Sequence, residues 1–154
     1  MTDTPFDAQR AHRWFAVECN NQTWDLVEAE SRTPEQVEQM IHGAHAACFH
    51  WLAAGSLLNH LRAQNLLATA YVAAGLAEAA VRHAERCLAL SQEAGDSQSA
   101  FDRATAHGCA SAAYQLNSQA DLAQQQYALA KGAADTLEEA DDRALFDKLY
   151  PAPA

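Results

Sequence analysis

"LLATAYVAAGLAEAAVRHAERCLAL", residues 66–90, decides how this chain folds. Two apolar runs of helical period flank Gly75. In the run after it, Ala77, Ala80, Val81, Ala84, Cys87 and Leu88 fall on one stripe, while Glu78, Arg82, Glu85 and Arg86 take the wet side. In the run before it, Leu67 and Tyr71 are four residues apart and share a face. The segment therefore reads as a helix, a turn at Gly75 and a second helix folded back on the first. Small residues predominate in the stripe, so the two axes can approach closely. The longest apolar run of the chain, residues 66–77, lies here; it is too short to span a bilayer and contains Gly75.

Nothing outside this hairpin alternates with the period of a strand. Valine and isoleucine are sparse, and Ala, Leu, Gln and Glu are abundant, which favours helix. Helix-start signals recur: Thr4 with Pro5 and Asp7, Thr33 with Pro34 and Gln36, Ser99 with Asp102, and Ser118 with Asp121. In each, a side-chain oxygen can take a backbone N–H that the first turn leaves unpaired. Breaks at 20–22, 31–33, 55–56, Gly75, 95–97 and 117–118 predict helices over 5–30 (kinked or broken at Asn20–Asn21), 34–54, 57–74, 77–94, 99–116, 119–139 and 142–149. The connections are short, so consecutive helices should be antiparallel neighbours. Gly108 in mid-helix costs about 1 kcal/mol against alanine, which predicts a close neighbour there. The expected fold is all-α: a stack of antiparallel helical hairpins, six to seven helices in one domain over 1–150, with "PAPA" at 151–154 as a loose tail.

At 154 residues the chain can bury a core without disulfide or metal staples. It carries 20 acidic and 10 basic residues, a formal charge of −10, with no Lys/Arg cluster. That balance argues against nucleic acid and against anionic membrane surfaces, and favours a basic or cationic partner. The start "MTDTPFDAQR" has no apolar signal core. Cys19, Cys48, Cys87 and Cys109 form no C-x-x-C pair and sit in helical sequence, so they read as reduced core residues of a cytoplasmic protein.

Residues 61–94 resemble a tetratricopeptide repeat (TPR), a helix-turn-helix unit of about 34 residues. Leu67, Tyr71, Gly75, Ala80, Ala84, Cys87 and Leu88 carry the likeness. Gln64, Ala68 and Gln92 depart from the family's usual Trp, Gly and Pro, and Ala84 replaces an aromatic. Residues 103–136 repeat the pattern more weakly, about 42 residues on. Cys109, Ala113 and Asn117 stand for Leu67, Tyr71 and Gly75, and Ala123, Tyr127 and Ala130 stand for Ala80, Ala84 and Cys87, with one residue inserted in the turn. Residues 5–54 would supply a divergent first pair, and the whole chain is similar to small bacterial TPR-like proteins. The resemblance implies a right-handed array that binds a peptide or partner protein in a groove lined by the first helix of each pair. Arg62, Asn65, Thr69 and Val72 would face that groove, joined by Arg103, His107, Ser111 and Tyr114 from the next unit. The arginines could fix a partner carboxylate. No cofactor is implied.

The alternative reading starts from "MIHGAHAACFHW", residues 40–51. On a helix, Val37, Ile41, Ala44, Cys48, Trp51 and Leu52 form one apolar face. Ala46 and Ala53 lie nearly opposite, bordered by His42, Phe49 and His50, as in a helix sandwiched between neighbours. His42 and His50 are eight residues apart, about 12 Å along the axis, too far for one ion. His42 and His45 could share one only with further ligands, Glu38 being a candidate. A His-lined pocket acting as a metal-dependent hydrolase or small-ligand sensor is thus the competitor to a non-enzymatic module. A third reading is self-association: a short array leaves apolar end faces, and a two-fold dimer would bury one.

Overall fold

A computed structural model, describing residues 6–154, contains seven α-helices and one 3-10 turn, with no strand among the described residues. The helices are α1 (Ala8–Glu28), α2 (Pro34–Ala54), α3 (Leu57–Ala73), α4 (Ala77–Ala94), α5 (Ala100–Leu116), α6 (Ala120–Ala134) and α7 (Ala140–Leu149). α1 pairs with α2, α3 with α4 and α5 with α6, and the hairpins stack through α2–α3, α4–α5 and the row α1–α3–α5. The protein is an all-α array of antiparallel hairpins, with the odd-numbered helices of the three pairs side by side on one face.

The caps explain most of the boundaries. The Thr33 hydroxyl accepts the Gln36 N–H at 3.2 Å while the Gln36 side chain accepts the Thr33 N–H at 2.9 Å. Ser99 and Asp102 make the same reciprocal pair. The expected cap at Thr4 lies outside the described residues; within them α1 opens after Asp7, whose carboxylate accepts the Arg10 N–H. The expected break at Asn20–Asn21 is absent, and α1 runs through it. Asparagine costs only a few tenths of a kcal/mol in a helix, less than the burial of Ala16 and Thr23 returns on either side. α6 ends at Ala134, short of 139, because the turn that follows buries Leu137. The Arg143 guanidinium donates to the Leu137 carbonyl and holds that turn.

The array has an internal register. Helices α2, α4 and α6 begin at Pro34, Ala77 and Ala120, each 43 residues after the last, and α3 and α5 begin at Leu57 and Ala100, also 43 apart. Gly75 (φ +73°) corresponds to Ser118 (φ +60°), the left-handed residue in each turn. The expected match of Gly75 with Asn117 is therefore one residue out, and the turn holds no insertion. His83 Nδ1 donates to Gln64 Oε1 at 2.9 Å; 43 residues on, His107 Nδ1 donates to Gln126 Oε1 at 2.7 Å, the same link with its ends exchanged.

Small buried residues, among them Ala68, Ala80, Ala84, Cys87, Ala104, Cys109 and Ala113, fill the layer between the hairpins. α7 does not continue the stack. It folds back over the odd-helix face, with Phe146 and Tyr150 buried. The neighbour expected at Gly108 is the Tyr150 ring: a Cβ there would lie 2.7 Å from two of its carbons.

Candidate functional site

The odd-helix face carries a cleft of about 500 Å³. α1 contributes Asn20, Trp24 and Glu28, spaced four apart on one stripe. α3 contributes Arg62 and Asn65, α5 contributes Phe101, Asp102 and Thr105, and α7 closes one side with Asp142, Leu145 and Leu149. The cleft is thus aromatic and aliphatic with carboxylates around it, and it exists only because four helices converge.

Two polar clusters set its floor. Arg62 grips Asp102 with two parallel bonds, Nε to Oδ1 at 2.8 Å and Nη2 to Oδ2 at 2.9 Å. Burial pushes the Asp102 carboxyl up, but Arg62 and the bonds from Ser99 outweigh it and hold the group below its ordinary range. Beside this pair, Asn65 Nδ2 donates to the Thr105 carbonyl at 3.0 Å and to the Tyr150 hydroxyl at 3.1 Å. The Thr69 hydroxyl meets the same phenol at 2.8 Å.

Arg62, Asn65 and Thr69 therefore come together on one face of α3, and of the three only Arg62 is exposed. Arg62 is committed to Asp102, and Asn65 and Thr69 are buried under Tyr150. The α5 residues expected with them lie elsewhere. Arg103 donates to the Gly95 carbonyl at 3.2 Å and faces Asp96. His107 bonds Gln126 on α6, Ser111 is buried and donates to the Ala123 carbonyl at 2.9 Å, and Tyr114 donates to Glu85 on α4. The groove side of α5 is instead Asp102, Thr105 and Gly108. The one-residue error in matching the turns rotated the expected face by about 100°. The Ser99–Asp102 box, 43 residues after Ser56–Asn59, was the signal that could have corrected it.

The histidine helix is organised differently from expectation. α2 lies between α1 and α3, but Phe49, 64% exposed, and Leu52, 67% exposed, are left uncovered. His42 is exposed and shares no site with His45. His45 Nε2 instead lies 2.7 Å from the Tyr71 hydroxyl, and the Tyr71 ring stacks on His83. Among the described residues, no group of three or more His, Cys, Asp or Glu side chains is placed to hold a metal ion. Burial, then His42, lowers the pKa of His45; burial, then His45 and Arg82, lowers that of His83; burial, then His12, lowers that of His50. A histidine whose folded pKa lies below its unfolded value stabilises fully above the unfolded value, about 6.5, and loses that contribution as pH falls through it. Stability should therefore drop between about pH 7 and about pH 5. Urea midpoints at the two ends of that window check it: a His45→Gln/His83→Gln variant should show a shallower drop, and an equal one would count against this assignment.

No known protein family matches this chain, and no curated protein or solved structure matches it. Among the described residues, no helix is long and apolar enough to cross a membrane.

Proposed function

We propose that this protein is a non-enzymatic interaction module of TPR-like design that receives a peptide helix on its odd-helix face. The observation that carries the reading is α7, an amphipathic helix already seated there, anchored by Phe146 and by Tyr150 just past its end, four residues apart and both buried. The period of 43 residues exceeds the roughly 34 of a TPR unit. What carries over from that resemblance is the hairpin stack and its groove, not the family's contact residues.

The cleft's charge favours a cationic partner. Glu28, Asp102 and Asp142 line it against one guanidinium, and that guanidinium is occupied by Asp102. The chain's own Lys148 donates to Glu28 at 3.0 Å, as a basic residue of a partner would. The four free cysteines fit a reducing, cytoplasmic setting. The second reading, a small-ligand sensor, is supported by the hydrogen-bonded His45–Tyr71 pair beside a cleft of about 410 Å³.

Fluorescence anisotropy with two labelled helical peptides tests the first reading. Both carry Phe and Tyr four residues apart; one is flanked by lysines and the other by glutamates. The lysine peptide should bind, more weakly at higher salt, and Asp142→Asn should weaken it several-fold. Equal affinity for both peptides, or none up to about 100 μM, would sink the proposal.

A further inference from the structure

We infer that the outer face of the α1–α2 hairpin is the contact between two copies of this chain, related by a two-fold axis. This goes beyond the groove reading and uses a different surface.

The face is a continuous plate of exposed rings. Trp14 and Phe15 meet edge to face at 5.0 Å, Phe15 stacks on His50 at 5.4 Å, and His50 meets Phe49 at 5.5 Å. His12 bonds His50 at 2.8 Å and closes the set. Trp14 is 57% exposed and Phe15 46%. Between the two helices runs a trough of about 380 Å³, lined by Cys19, Thr23 and Leu26 on α1 and by His42, Gly43 and Ala46 on α2. Exposed aromatic rings beside a hollow are what an interface core uses, and monomers rarely leave such a patch to water.

The occupant follows from charge and from the opposite end of the array. The chain has 20 acidic residues, yet none falls in residues 8–17 or 39–54, which carry only Arg10 and Arg13 as formal charges. Two chains of charge −10 can therefore meet ring to ring without bringing carboxylates together at the plate, Glu18 standing outside it beside Cys19. Head-to-tail stacking would instead set this plate on α6, whose exposed residues mix Leu122 and Leu129 with Asp121, Gln124, Gln125 and Lys131 and include no aromatic side chain. The plate matches itself better than it matches that end, which selects the closed two-fold arrangement over an open chain of copies.

Sedimentation equilibrium of the full chain from about 1 to about 200 μM tests this. The mass should double and then stop rising. Phe49→Glu places a carboxylate on both sides of the axis; it should give a monomer throughout the range with an unchanged helical spectrum. Should that variant fail to fold, Phe15→Ser gives the same readout with a milder change. Leu129→Glu, on α6, should leave the dimer intact. A parent chain that stays monomeric at the highest concentration overturns the inference. So does a mass that rises without limit, or a dimer lost in Leu129→Glu and kept in Phe49→Glu.

Discussion

Tyr150→Ala should cost about 3–5 kcal/mol, the largest single-residue effect expected in the molecule. The ring is 2% exposed and lies one residue past α7. Its loss empties the space over Gly108 and removes the phenol that Asn65 and Thr69 share. Tyr150→Phe separates the two contributions. It keeps the ring, Asn65 keeps its bond to the Thr105 carbonyl, and Thr69 keeps its bond to the Asn65 carbonyl. A loss of about 1–2 kcal/mol is therefore expected for phenylalanine, because Asn65 and Thr69 each lose the phenol but keep another partner. Urea unfolding of the three proteins checks the ranking. If alanine and phenylalanine cost the same, the hydroxyl network rather than the ring holds α7, and the packing account is wrong.

Gly108→Ala should change sign with its background. In the parent, the new methyl would sit 2.7 Å from the Tyr150 ring, closer than carbon atoms approach. The ring is buried and held by its hydroxyl. Overpacking of this kind costs about 1–3 kcal/mol, more than the roughly 1 kcal/mol of helix propensity gained. With Tyr150→Ala already present the clash is gone, and the same substitution should stabilise by up to about 1 kcal/mol. A four-variant cycle in urea measures the coupling directly. Equal cost in both backgrounds would mean that glycine is needed at 108 for some reason other than Tyr150.

Local chemistry made the helices legible. Thr33 with Gln36, and Ser99 with Asp102, announced two starts that the structure places at the same residues. The stripe through Ala80, Ala84 and Cys87 showed which side of α4 is buried. Faces were harder than elements. Asn117 looked like the counterpart of Gly75 because asparagine tolerates a left-handed backbone, but Ser118 holds that conformation. One residue of slip in a turn moves every side chain of the helix before it to another face. The site suffered most. Asp102 was read only as a cap, and its grip on Arg62, 40 residues away, left no local trace. The role of α7 was equally hidden, since its period marks an amphipathic helix without saying which surface it covers.

The return of α7 also changes how the molecule holds itself together. An array in which each hairpin touches only the next frays from its ends, one unit at a time. Here Tyr150 bonds a residue 85 positions earlier, and Lys148 one 120 positions earlier. The last helix lies across the first three odd ones like a clasp, so neither end of the row can peel without releasing the other. Amide protons in α1, α3 and α5 should therefore exchange with solvent as one group, in a single opening event, where a simple stack would lose its protection in steps.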